Sequence, residues 1–179
     1  KGLVRAGVSI TTLDRDLSRR MEPRAATPQK RLDTVRALSE AGIPVTVMTA
    51  PIIPALNDHE IESLLEAAAA HGASGAGYVV LRLPYEIKDL FHEWLRQNEP
   101  GRADRVIGQI REMRGGRDYD PAFLKRQIGE GVYADLLAKR FRLACRRLGL
   151  DNETPRLDTT QFRVPLATQS QMSLFGEEV

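Results

Sequence analysis

Three observations predict a parallel α/β fold. Short apolar, β-branched runs alternate with amphipathic stretches at helical spacing, and the connections between runs are too long for hairpins. Gly, Pro and capping residues stand where those helices should begin and end. The chain has 179 residues, 42% of them hydrophobic, which is material for one self-supporting domain.

The first element is LVRAGVSITT, where Leu3, Val4, Val8 and Ile10 make a strand-like apolar segment. The next stretch, LDRDLSRRMEPRAATPQ, reads as a polar linker. A helix then starts with Thr27 as N-cap and Pro28 at its first position, carries Leu32, Val35 and Leu38, and stops at Gly42. IPVTVMTA is the second strand, continuous enough to be buried on both faces. After the proline loop, Asn57 or Asp58 caps a helix bearing Ile61, Leu64, Leu65 and Ala68 and ended by Gly72. AGYVVLRLP is the third strand. Ile87, Leu90, Phe91, Trp94 and Leu95 mark a third amphipathic helix, with Trp94 expected in the core.

Three such units cannot close a barrel, and a bare edge of buried strand is a liability. Either the sheet is small and open, or half of a barrel lies upstream. The chain opens on Lys and enters a strand at once, which favours a cut through a longer protein over a degenerate remnant. Residues 1–98 are therefore expected to be the second half of a barrel. Residues 99–150 read as a helical extension. There Val106, Ile110 and Met113 keep helical period, Gly115 and Gly116 break it, and Asp120 and Pro121 start a short helix. VYADLLAKRFRLACRRLGL is the strongest helix, with Val132, Leu136, Leu137, Phe141, Ala144 and Leu148 on one face. Residues 151–179 lose period and gain Pro, Thr, Gln and Ser, as an extended or disordered tail does.

Net charge is only +2, so the chain as a whole is no polycation. Basic residues do outnumber acidic ones from Arg96 to Arg147, among them Arg102, Arg105, Arg111, Arg114 and Arg140. Such runs are usually solvated helix faces; a surface for nucleic acid is the alternative. The single cysteine, Cys145, excludes an internal disulfide framework and a cysteine-ligated cluster built from this chain alone. Cys145 sits among Phe141, Ala144 and Leu148 and is expected to be a packed core residue. No apolar run reaches membrane-spanning length and no signal-peptide pattern opens the chain, so a cytoplasmic protein is expected. His59, His71 and His92 lack metal-ligand spacing and read as surface or helix-end residues.

In parallel α/β folds ligands gather on the loops at the carboxyl ends of strands. Three loops qualify: Ser9, Thr11, Thr12 and Asp14 followed by MEPR; APIIPALND; and RLPYE. Ile52 and Ile53 held between Pro51 and Pro54 would make a poor solvent surface. They would make a good wall for a flat apolar ligand, since proline removes conformational freedom before binding. The hydroxyls of Ser9 and Thr11 suit a sugar or carboxylate, and Arg24 can grip a carboxylate bidentately. Strand-end Ser and Thr also cap backbone, and Glu22 and Asp14 are rival partners for Arg24. Over three successive loops the pocket and the structural reading stand level. No G-x-G-x-x-G loop follows any strand, which disfavours an ordinary phosphate-binding metabolic enzyme.

The segments VSITTLD, MEPRAATPQKRLDTVRALSEAGIPVTVMTAPIIPALND, GAGYVVLRLP and LFHEWL resemble the second half of radical S-adenosylmethionine proteins. RGGRDYDPAF, GEGVYA and RFRLACRRLGL continue the likeness. The group is the DNA repair photolyase-like one, related to spore photoproduct lyase. The resemblance implies a partial TIM-like (β/α)6 barrel and two cofactors, S-adenosylmethionine and a [4Fe–4S] cluster fed by a one-electron donor. Cleavage of the first would yield a 5′-deoxyadenosyl radical that abstracts hydrogen from a substrate the resemblance does not name, a nucleic acid being one candidate. It also implies cofactor roles for Ser9, Thr11 and Arg24, adenine contact for Pro51, Ile52 and Ile53, and backbone hydrogen bonds from Leu81–Pro84, with Leu83 central. The family's C-x3-C-x2-C motif is not in this sequence, so the cluster ligands are expected upstream and the chain alone should not catalyse. The alternative is a non-catalytic module, nucleotide-binding or sliding-clamp-recruited, that has lost its cluster. In the tail, Gln171, Met172, Ser173, Leu174 and Phe175 resemble the Q-x-S-L-F peptide bound by bacterial sliding clamps. Docking of Leu174 and Phe175 on the protein's own surface is the competing reading.

Overall fold

The computed structural model describes residues 2–122, 125–151 and 156–161. Gln171, Met172, Leu174 and Phe175, expected to bind a clamp, lie outside the described residues. The described residues form an α/β fold with a three-stranded parallel sheet, order β1-β2-β3, and seven α-helices. The strands are β1 (Ala6–Ser9), β2 (Val45–Ile52) and β3 (Gly75–Val80). The helices are α1 (Arg15–Met21), α2 (Pro28–Glu40), α3 (Ile61–Ala70), α4 (Ile87–Asn98), α5 (Ala103–Glu112), α6 (Lys125–Ile128) and α7 (Val132–Leu148). This is consistent with part of a radical-SAM-type barrel.

Most starts and stops fall where capping chemistry puts them. Thr27 accepts from the Lys30 amide at 3.4 Å with Pro28 at the first helical position, and α2 ends just before Gly42. Three expectations need correction. The first strand is shorter than expected, and Leu3 and Val4 are exposed. The polar linker contains a helix, α1, because Asp14 accepts from the amides of Asp16 and Leu17 and so supplies an N-cap. Asn57 does not cap α3; a 3-10 turn, Asp58–Glu60, leads into that helix and the Asn57 side chain is used elsewhere.

Register gives the sheet two unlike faces. Ala6 and Val8 share a face with Val45, Val47 and Ala76, and α2 and α3 cover the apolar side chains there. On the opposite face Gly7, Thr46 and Gly75 form one row and Ser9, Met48 and Gly77 the next. This second face is half-buried or exposed, so β2 is fully buried on one side only. Position 77 is a glycine because the Met48 side chain lies over it: a Cβ there would meet Met48 Sδ at 2.9 Å.

The helices add two further cores. One lies between α3, α7 and β3, where Ile61, Leu65, Val80, Leu137, Phe141 and Cys145 pack together. Burial pushes the Cys145 thiol up to about 11, as for an inert core residue. Arg140 grips Glu62 bidentately at 2.8 and 2.6 Å, fastening α7 to α3. The other core covers the carboxyl end of the sheet and draws on α1, α4, α5 and the strand-end loops. Trp94 is half-buried at its margin, stacked on Phe91 and donating from its indole to Arg20 O at 3.1 Å. Ile87 and Leu90 of α4 are exposed, as are Val132 and Leu136 of α7, so each helix buries a narrower stripe than its apolar residues suggest. Asp158 N donates to Gly2 O at 2.8 Å, which ties the described part of the tail to the start of the chain.

The α7 face yields a contrast between neighbours. Leu137 is 0% exposed and Leu136 is 48% exposed. Leu137→Ala should cost about 2–5 kcal/mol in denaturant unfolding, whereas Leu136→Ala should stay within about 0.5 kcal/mol. Equal losses would contradict this packing.

Candidate functional site

Parallel strands bring the three expected loops to one end of the sheet, and hydrogen bonds knit them together. The hydroxyls of Ser9 and Thr11 both donate to Ala50 O, at 2.9 and 3.1 Å. Their protons are thus spent on the end of β2, while their lone pairs still accept. Asn57, 4% exposed, makes the tighter knot. Its Nδ2 donates to Thr11 O at 2.8 Å and Pro51 O at 3.1 Å, and its Oδ1 accepts from the Ile53 amide at 2.6 Å. Glu60 accepts from the Thr12 hydroxyl at 2.6 Å and the Leu13 amide at 2.9 Å, closing the same join from outside. Leu81 N donates to Ile52 O at 2.8 Å, which continues the stitching to β3 beyond a register shift between Thr49 and Ile52.

The apolar loop side chains are placed differently from expectation. Ile52 is 1% exposed and packs into the α3–α7 core. Ile53 and Leu83 are buried in the core under α1, α4 and α5. The Ile52 and Ile53 side chains therefore face the protein interior and cannot wall a ligand, whereas the expected role of Leu83 is a backbone one; Pro51, half-buried after a cis Ala50–Pro51 bond, is more open than Ile52, Ile53 and Pro54. Helices distant in sequence supply the cover: α3 and α7 for Ile52, and α4 and α5 together with Leu17 of α1 for Ile53.

Arg24 is exposed, on the turn after α1. Both rival acids are engaged elsewhere. Asp14 caps α1, and Glu22 accepts from Arg31 Nη2 at 2.8 Å. Among the described residues no acceptor pairs with Arg24. Sequence reasoning missed Arg31, whose guanidinium also donates to Ser9 O at 2.7 Å and Ala26 O at 3.1 Å. It thereby straps the Glu22–Ala26 turn to the end of β1. The available signal was an arginine one turn into a helix that follows a strand-end loop.

Besides a groove of 590 Å³ between α2 and α3, lined among others by Leu13, Arg15, Thr27, Asp33, Ala67 and His71, two hollows border these turns. One, of 330 Å³, is lined by Arg15, Ser18, Arg19, Glu22, Pro23, Ala25 and Thr27. The other, of 390 Å³, is lined by Ala55, Asp58, His59, Gly101, Arg102, Arg105 and Tyr133. In the second, the Tyr133 hydroxyl donates to Asp58, and burial together with that bond pushes the tyrosine up to about 12. Among the described residues no group of His, Cys, Asp or Glu could hold a metal ion. His59 is exposed, His71 Nδ1 lies 2.7 Å from Ala67 O at a helix end, and His92 lies 3.3 Å from Asp118.

Residues 1–68 match the radical SAM superfamily. The matching segment runs from β1 into α3 and contains Ser9, Thr11, Arg24, Arg31 and the Pro51–Ile53 turn; Leu83 lies beyond it. The chain is also 34% identical over 143 residues to uncharacterized protein Rv2578c of Mycobacterium tuberculosis and to uncharacterized protein Mb2609c of Mycobacterium bovis. Those alignments cover 79% of this chain and 40% of each relative. The chain thus spans about half the length of the curated relatives it matches. No solved structure matches it. A radical SAM superfamily segment implies S-adenosylmethionine and a [4Fe–4S] cluster in general. The sequence holds one cysteine, and that one is buried in the α3–α7 core, so the residues present do not fit a cluster.

The knot makes a direct prediction. Asn57→Ala would leave the Ile53 amide and two carbonyls without their partner, at about 1–3 kcal/mol for each unmet buried group. A loss on the order of 3 kcal/mol in denaturant unfolding is expected; a loss within about 0.5 kcal/mol would show the carboxamide dispensable.

Proposed function

We propose that this chain supplies the cofactor-facing strand ends of a radical SAM enzyme, holding S-adenosylmethionine at the carboxyl end of β1 and β2. The observation that carries the reading is Arg24: an exposed, unpaired guanidinium on a turn strapped to the end of β1, inside the superfamily-matched segment. In this reading Arg24 grips the methionyl carboxylate bidentately. The lone pairs of Ser9 and Thr11 accept from the ribose hydroxyls, and Pro51 and the backbone of residues 81–84 border the adenine. On the open sheet face the small residues Gly7, Ser9, Thr46 and Gly75 lie beside the Met48 side chain, which covers Gly77. When bound, the cofactor is a source of a hydrogen-abstracting adenosyl radical once an electron donor and cluster act on it. This chain's residues bind and orient it; they do not ligate the cluster. Membership of the photolyase-like group, a nucleic-acid substrate, clamp recruitment through Gln171–Phe175 and a cytoplasmic location belong to the same proposal. Among the described residues no helix is long and apolar enough to cross a membrane.

The single cysteine favours a second reading, a cluster-free nucleotide-binding module. Calorimetry separates the two. Under the cofactor reading Arg24→Ala weakens S-adenosylmethionine binding on the order of ten- to a hundredfold, the worth of a charged hydrogen bond, and leaves adenosine binding unchanged. Under the module reading adenosine binds as well as S-adenosylmethionine. An Arg24→Ala protein with parental affinity for S-adenosylmethionine would refute the assignment.

A further inference from the structure

The turn after α5 brings a buried cation to the end of β3. Arg114 is 4% exposed, yet only one of its nitrogens is engaged. Nη2 donates to Leu81 O at 2.7 Å and Arg126 O at 3.3 Å, while Nε and Nη1 meet no acceptor. Among the described residues no carboxylate pairs with it. Asp120 is near enough to be felt, but its Oδ1 accepts from the Ala122 amide at 2.8 Å.

Arg82 follows Leu81 directly and repeats the pattern. It is half-buried, its Nε meets no acceptor, and its Nη2 reaches the Tyr119 hydroxyl only at 3.5 Å. Burial pulls the Arg114 guanidinium below the usual arginine range; Asp120 and Tyr119 oppose this, and the charge of Arg82 adds to it.

Elsewhere the protein treats its arginines differently. Arg111, Arg140 and Arg147 are all more exposed than Arg114, and each has a carboxylate: Asp118 at 2.5 Å, Glu62 at 2.6 Å and Glu66 at 2.5 Å. Acids thus stand beside arginines that water could have solvated and are withheld from the one it cannot. A buried charge with unmet donors is strongly unfavourable by itself and becomes favourable when an anion occupies those donors. Two adjacent guanidiniums with a phenol beside them suit a tetrahedral, doubly charged acceptor better than a single carboxylate.

We propose that Arg82, Arg114 and the Tyr119 hydroxyl form a binding site for a phosphate group of the substrate, at the carboxyl end of β3. The turn at Gly115 and Gly116, with φ of 61° and 84°, carries Tyr119 back over Arg82. The site lies outside the superfamily-matched segment, and it stands whether or not the cofactor reading holds.

Arginine side-chain Nε–H spectra of the full 15N-labelled chain test it without S-adenosylmethionine. Inorganic phosphate, titrated at constant ionic strength against chloride, should shift the Arg82 and Arg114 signals saturably and leave exposed Arg24 unmoved. Arg82→Gln should weaken phosphate binding at least tenfold. A short single-stranded oligodeoxynucleotide binding at least tenfold tighter at the same signals assigns the phosphate to a nucleic acid. Equal affinity assigns it to a small phosphate ester. Shifts of the same size at every arginine, or unchanged affinity in Arg82→Gln, would overturn the site. Should the variant fail to fold, the parental titration decides alone.

Discussion

A carboxamide 4% exposed to solvent, that of Asn57, fixes how the ends of β1 and β2 sit against each other. It spends both donors on carbonyls of the two loops and its acceptor on the Ile53 amide. Loops that carry function must satisfy their backbone groups while staying off the regular ladder, and one fully used side chain does this at small entropic cost. The hydroxyls of Ser9 and Thr11 complete the join through Ala50 O. The proposed cofactor position depends on this knot, because the turn that carries Arg24 is strapped through Arg31 to the end of β1 and is placed only while that end is itself fixed.

The same knot explains the proline loop. Pro51 and Pro54 bracket two isoleucines because the chain there descends from the sheet into two different cores. Ile52 enters the α3–α7 side and Ile53 the core under α1, α4 and α5. The exposed rim of the turn is left to backbone and Pro51. The carboxyl end of the sheet is therefore rigid and partly roofed, with polar groups at its edge. Such an end positions small groups precisely without offering a broad apolar slot.

The sequence made the strand–helix order, the parallel sheet and the helix stops legible, since each rests on local period or on Thr27, Pro28, Gly42 and Gly72. It hid α1 because Asp14 and a single buried Leu17 carry that helix, too little apolar signal to stand out among its charges. It misplaced the side chains of Ile52 and Ile53, since their burial is supplied by helices distant in sequence. Arg31 and Asn57 could be named only once their long-range acceptors were in view. In the sequence Arg114 is one more member of a charge run, and composition alone offers no means to single out the buried one.

The central claim is that these strand ends together hold an adenosyl cofactor, and hydrogen exchange with and without S-adenosylmethionine tests it most directly. At saturating cofactor the account predicts slowed amide exchange in 9–14, 22–27, 50–57 and 81–84, with the rest of the chain unchanged. Protection at Asp33 and His71 of the groove between α2 and α3 with none in 50–57 and 81–84, or no protection at all, would contradict it.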